Sequence, residues 1–465
     1  MSAEPRRALV PVLIFIGTVV AVISSLGAPL VPAIAEADDV SLTDAQWSLT
    51  ITLVVGAVAT PVVGRLGSGA RRRTVVLAVL ALVVLGGVLA ALPLGFGWLV
   101  AGRALQGFGL GLTPLAIATA RDALTGPRSA STAAALSITT VAGVGIGYPL
   151  TGLVADLGGV HAAFWAGAAI SALALLAAAL VLPAAPALPP RRLDVLGAVL
   201  LGVGLAALLL AISEVEVWGW TSPALIGLLV LGVLSVVAWV GWELRTPAPL
   251  VDLRLARGRT AATAHSAALL IGLANYLLLT SVTLLAQTPV ASGYGFGASI
   301  VVAGLVLLPF SLASVVAGRT ARSVTRRGGA RLVLPAGALL LGAALGLFAV
   351  ARGELWQLFV LMAVAGFGVG GAFAGLPALI VSAVPGAETA SAMSLNQVLR
   401  YVGFATGSAV TAAVLEAGLS EGGTPAPGSY TTIALIGCAL CLLTAALTWL
   451  LPSGVENGGV RSYRR

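Results

Sequence analysis

The sequence predicts an all-α polytopic membrane protein, and three observations carry that prediction. Of 465 residues, 59% are hydrophobic and only 9% charged, where a soluble domain is about a quarter charged. Mean hydropathy is +1.06, more than one buried core absorbs, so the surface itself must be apolar. The apolar stretches run for about 20 residues, the length of a helix that crosses a bilayer. A membrane barrel would instead show alternating segments of about 10.

Taken in order between charged or Gly/Pro-rich breaks, the apolar runs number fourteen. The first six lie near 9–34, 46–66, 74–94, 97–119, 130–155 and 162–182. Two follow near 195–213 and 222–242. The last six lie near 260–288, 297–318, 331–351, 355–383, 391–416 and 430–451. The opening MSAEPRRALVPVLIFIGTVVAVISSL has a basic flank and an apolar core but no small-residue cleavage site, and reads as an uncleaved first span.

All 25 basic residues are arginine. A chain without lysine has no P-loop and no Schiff base, so Walker-type ATPases and retinal or pyridoxal chemistry are excluded. Energy for any pumping must come from an ion gradient or a partner chain. With the N-terminus inside, 22 of the 25 arginines fall in inside segments. The exceptions are Arg103 and Arg400, within spans, and Arg352, outside. That asymmetry predicts an even span count with both termini cytoplasmic. The same distribution assigns the net charge of +8 to positive-inside loops and not to a nucleic-acid surface. Arginine-only usage with abundant Ala and Gly suggests a GC-rich bacterial genome, and the apolar spans then place the chain in a bacterial plasma (inner) membrane.

Other chemistry is thin. Cys438 and Cys441 sit in an apolar CALC and read as small helix residues. His161 and His265 stand about a hundred residues apart with no paired acids nearby, which argues against a membrane enzyme. No cofactor or metal is predicted. No loop is long enough for a sensor domain.

Two internal echoes organise the chain. GFGLGL at 107–112 returns as GFGVGG at 366–371, 259 residues later. GRLGSGARRR at 64–73 returns more loosely as GRTARSVTRR at 318–327, 254 residues later. Chance glycine similarity competes in a chain with 58 glycines. The near-equal offsets favour a duplicated six-span unit, as in transporter halves related by parallel duplication. The predicted division is 1–192 for a first bundle, 193–259 for two inserted helices and a linker, and 260–465 for a second bundle with a short tail.

Three motifs then carry a family resemblance. They are GRLGSGARRRTVV between spans 2 and 3, RALQGFGLGL in span 4 and GVGIGYPLTG in span 5. The chain resembles the major facilitator superfamily, and within it the fourteen-span drug:proton antiporter branch, from about residue 9 to 451. LDVLG at 193–197, WGWTSP at 218–223 and PLVDLRL at 249–255 resemble that branch's extra-span region. The resemblance implies a major-facilitator fold, two six-helix bundles plus two inserted helices. It also implies a secondary active exporter of small amphiphiles, run by proton antiport through alternating access and working as a monomer in the lipid bilayer. A metabolite transporter of the same fold, working by symport or uniport, is the competing reading.

The matched positions imply roles. Gly64, Gly67, Arg72 and Arg73 match the family's 2–3 loop, while Arg71 takes the place of its second glycine and Ser68 that of its aspartate, so the family's charge latch lacks its acid. Arg103, Gln106 and Gly107 match the span 4 pattern. Arg103 either snorkels to the outer surface or faces the bundle and tunes coupling. Gly143, Gly147, Pro149 and Gly152 match the antiporter motif, with Tyr148 inserted, and suit either a rocking interface or a static helix pair. The polar residues Asn275, Tyr276, Gln287, Asn396, Gln397, Arg400 and Tyr401 resemble cavity-lining positions of spans 9 and 13. Ser24, Ser25, Trp47, Gln106 and Tyr148 join them from spans 1, 2, 4 and 5. Each has a packing hydrogen bond as its alternative.

Proton coupling needs a titratable group in the cavity, and span 1 offers Ser24 and Ser25 in place of the aspartate many relatives carry. All 17 acids fall in loops or near span ends. Asp44, Asp156 and Glu416 are the remaining candidates, alongside Arg103. A cavity so poor in acids disfavours small quaternary cations against neutral or anionic amphiphiles.

Overall fold

The computed structural model describes residues 8–26, 30–40, 42–183, 193–256, 258–328, 330–419 and 425–450, apart from the side chains of some helical residues among them. Ser25, Tyr148, Pro149, Asp156 and Glu416, all singled out from sequence, lie outside the described side chains. Among the described residues the backbone is helical, with one isolated bridge between Leu419 and Pro425. That economy is what a bilayer enforces, since lipid offers no partner for a free backbone amide.

The N-terminal helices are α1 (Leu9–Ser25), α2 (Val31–Asp38), α3 (Leu42–Leu66), α4 (Arg72–Ala91), α5 (Phe96–Gly107), α6 (Leu112–Ala123) and α7 (Gly126–Val181). Next come α8 (Val195–Trp218), α9 (Pro223–Glu243) and the short α10 (Leu253–Ala256). The C-terminal helices are α11 (Arg259–Gln287), α12 (Ile300–Val306), α13 (Leu308–Gly328), α14 (Ala330–Val350), α15 (Leu355–Ala383), α16 (Thr389–Ala417) and α17 (Pro427–Trp449). Ten helical stretches among the described residues are long and apolar enough to cross a membrane, and Leu9–Ser24 and Val195–Ala211 are shorter apolar helices. The molecule is apolar outside, with Leu234 and Leu442 more than 60% exposed, while many polar groups are buried.

Three differences from the predicted spans have local causes. The first span divides into α1 and α2, with Gly27-Ala28-Pro29 between them in the sequence. The fourth is interrupted by a 3-10 turn at Phe108–Gly111, within the GFGLGL motif. Spans 5 and 6 form one run, α7, whose helical conformation breaks only at Gly159, with φ of 77°. A side chain would strain that backbone, and glycine does not.

The glycine echo is a packing device used twice. A Cβ on Gly107 would lie 2.6 Å from the Thr52 carbonyl of α3. On Gly366, in α15, it would lie 2.6 Å from Phe310 Cα of α13. Each interface also carries a hydroxyl bond, one helical turn out of register between the two echoes. Thr52 Oγ1 donates to the Arg103 carbonyl and Ser314 Oγ to the Gly366 carbonyl, each across 3.1 Å. Small residues let backbones approach where lipid provides no hydrophobic drive between helices.

Contacts between the N- and C-terminal helices run through two helices. The helix α7 packs on α13 and α15, and α16 packs on α3 and α6. The pair α8–α9 lies outside, with α8 against α3 and α16.

Candidate functional site

A charged side chain at the bilayer centre costs about 2.5–3.5 kcal/mol on insertion scales, so the two arginines within spans need explaining. Both are fully enclosed, Arg103 at 0% and Arg400 at 1% exposure. Arg103 therefore does not snorkel.

Arg103 ties three N-terminal helices. Its Nε donates to the Ser48 carbonyl of α3 at 2.9 Å. Its Nη1 donates to the Ile23 carbonyl of α1 at 2.9 Å and to Gln106 Oε1 at 2.8 Å. The Phe164 ring lies 6.0 Å away. Among the described residues Nη2 has no acceptor.

Arg400 is placed differently. It lies roughly 17 Å along α16 from Thr389, and Ser137 lies about as far along α7 from Gly126, at 1.5 Å per residue. That is mid-bilayer for a hydrocarbon core of about 30 Å. Arg400 Nη1 donates to Ser137 Oγ at 3.1 Å, joining a C-terminal helix to an N-terminal one. Its Nη2 donates to Gln397 Oε1 at 2.8 Å. Gln397 Nε2 in turn donates to the Tyr401 hydroxyl at 2.8 Å. The guanidinium sits 4.3 Å over the Phe373 ring of α15, a cation–π geometry. Tyr276 of α11 stacks on Phe404 at 4.4 Å, and Tyr401 meets Phe404 edge-on at 6.1 Å. Arg400, Gln397, Tyr401 and Tyr276, named from sequence, thus form one polar and aromatic cluster at the junction of the helix sets.

Other predicted residues disperse. Asn275 is buried with its Oδ1 unpartnered among the described residues, and Asn396 donates to the Ala264 carbonyl at 3.3 Å. Gln287 is exposed at the end of α11 and bonds the Thr283 carbonyl, away from the cluster. Ser24 bonds its own turn at Ala21, Trp47 is half-buried, and Asp44 is exposed at the start of α3. Gly143 packs on Ala21 of α1, Gly147 is buried, and Gly152 faces open space.

The arginine-rich end of the bundle holds the remaining cross-contacts. Ser68, which stands in the aspartate's place, bonds the Gly64 carbonyl. Arg72 pairs with Asp122, Arg73 caps the Ala179 carbonyl, and Arg71 is exposed. The contacts between helix sets come from other residues. Arg65 pairs with Glu388 at 3.6 Å, and Arg121 bonds Thr389 and the Val384 carbonyl. Gly64 lies so close to Ser394 and the Ala390 carbonyl of α16 that a Cβ would collide there.

The sequence profile described as Major Facilitator Superfamily matches residues 13–195 and 264–465. The chain belongs to that superfamily. It is 29% identical over 358 residues to the Multidrug resistance protein Stp of Mycobacterium tuberculosis, covering 75% of this chain and 64% of Stp. It is 30% identical over 393 residues to the Multidrug resistance protein B homolog of the same species, covering 79% and 68%. The chain spans about half the length, 49%, of other mycobacterial transporters it matches. The crystal structure of the human organic anion transporter MFSD10 (TETRAN) superposes with a TM-score of 0.66 at 18% identity, covering 96% of this chain and all of that one. That likeness speaks for the fold. The family match and the named relatives point to a transporter, not an enzyme.

Within a major facilitator chain, several residues escaped the sequence reading. Ser137 and Phe373 carry no motif, and Glu388 lies in a loop. Glu243 is 0% exposed although it ends a helix. Its Oε1 accepts from Trp239 Nε1 at 2.8 Å, and it faces the backbone amides of Leu250 and Val251. The Trp-x-x-x-Glu spacing of 239 and 243, one helical turn, was the available signal.

Proposed function

We propose that this chain is a secondary active exporter of small amphiphilic molecules, driven by proton antiport through alternating access. It belongs in the fourteen-span drug:proton antiporter branch, with six helices in each bundle and α8–α9 as the inserted pair. It works as a monomer in a bacterial inner membrane, with both termini cytoplasmic. The observation that carries the proposal is the junction between the helix sets: one polar cluster at Arg400 in mid-bilayer, and a few breakable links at the arginine-rich end. Links of that kind are what two bodies need in order to rock about a central site. Relatives named as multidrug resistance proteins support an amphiphilic cargo.

The test is transport by the full chain in proteoliposomes, with a panel of dyes and antibiotics and an imposed pH gradient. Substrate movement should follow the gradient and collapse when a protonophore dissipates it. Movement indifferent to the gradient overturns the antiport claim.

A further inference from the structure

A buried guanidinium lacking a carboxylate is a half-made ion pair. Arginine stays charged in proteins and carries five N–H donors. Arg400 uses one on Ser137 and one on Gln397, both neutral acceptors. Among the described residues its buried Nε has no acceptor. Among the described residues the ion pairs are Arg65–Glu388 and Arg72–Asp122, so no described acid neutralises Arg400. Arg103 shares the missing counter-ion, but its partners all lie on N-terminal helices, so it reads as a tie. Arg400 alone of the two reaches across the junction, to a hydroxyl that moves away whenever α7 and α16 part.

We propose that Arg400 is an anion-binding subsite that opens at the junction of the helix sets, and that the chain takes amphiphiles bearing a carboxylate, sulfonate or phosphate group. The anion replaces Ser137 Oγ as the acceptor on Nη1, a charge-assisted hydrogen bond stronger than the one a neutral hydroxyl accepts. Gln397 and Tyr401 hold the guanidinium in place, and the Tyr276–Phe404 stack offers a flat apolar surface for the body of the ligand. This inference rests on the exporter reading for its route, but its test does not use a gradient.

Wild-type chain in phosphatidylcholine nanodiscs is titrated with carboxyfluorescein and with rhodamine 123, xanthene dyes of opposite charge, and read by fluorescence anisotropy. The anionic dye should bind about tenfold tighter or more, the scale of one charge-assisted hydrogen bond. Arg400→Gln should erase that preference, and Arg400→Lys should keep part of it. Equal binding of both dyes, or a folded Arg400→Gln protein that binds carboxyfluorescein as wild type does, overturns the proposal. If Arg400→Gln does not fold, competition on the wild type decides: naphthalenesulfonate should displace the dye and naphthylammonium should not, and the reverse overturns the claim. Added phosphatidylglycerol separates the two sources of the anion. Displacement of the dye that depends on Arg400 assigns the site to a lipid phosphate, and no displacement assigns it to a free amphiphile; both retain the anion site. Dye that binds through Arg400 but never follows a pH gradient would sink the exporter reading alone.

Discussion

Arg400 and Ser137 face each other at the same depth from the arginine-rich end, joined by a 3.1 Å hydrogen bond between α16 and α7. A charge bonded to a neutral hydroxyl is held weakly compared with a charge bonded to a carboxylate. The junction is thereby left free to open.

Supplying the missing acid should lock it. Ser137→Asp places a carboxylate opposite Arg400, and the protein should unfold at a temperature higher by about 2–4 °C, the shift that roughly 1 kcal/mol gives in a large domain. Transport should stop, and carboxyfluorescein binding should fall because the site then carries its own anion. A Ser137→Asp protein that transports at the wild-type rate contradicts this account of the junction.

Arg103 should behave as a structural tie. Arg103→Ala removes donors to the Ile23 and Ser48 carbonyls and to Gln106. The expected loss is about 1–3 kcal/mol, the cost of leaving a buried acceptor unsatisfied, with membrane insertion intact. Arg103→Lys should recover little, since one ammonium cannot span three acceptors on separate helices. Thermal unfolding in detergent checks both, and an unchanged midpoint for Arg103→Ala removes the tie.

The paired glycines predict a sharp contrast within one motif. Gly366→Ala drives a methyl into the Phe310 backbone, whereas Gly371→Ala meets nothing within 4 Å. The first should lose about 1–3 kcal/mol, as overpacked sites do. The second should be neutral, or gain by up to about 1 kcal/mol from helix propensity. Equal stabilities would mean that α15 does not lie against α13 as described.

Much of this was legible in the sequence because membranes write large. Apolar length gave the helices, and the glycine echo marked the two places where span 4 meets span 2 and span 12 meets span 10. Gln397, Arg400 and Tyr401 were legible as polar residues in hydrocarbon, which turn inward. Their partners were not. Ser137 and Phe373 are ordinary helix residues whose meaning comes only from what another helix brings beside them. Breaks within helices were also hidden, since GFGLGL at 107–112 turns 3-10 while GFGVGG at 366–371 stays α-helical.

The missing loop aspartate leads to the last prediction. With Ser68 in its place, the link at the arginine-rich end is carried by Arg65 and Glu388. Glu388→Arg sets two like charges against each other, and α16 should swing away from α3. In a cysteine-free background, Ser394→Cys reports on this: Ser394 is fully buried against Gly64. Its maleimide labelling should rise about tenfold in Glu388→Arg, which corresponds to a shift of roughly 1.4 kcal/mol toward the open state. Reversing the pair, with Arg65→Glu added, should return labelling toward the starting rate. If the double reversal labels as fast as Glu388→Arg alone, the two residues do not act as a pair, and the link must lie with Arg121 and Thr389.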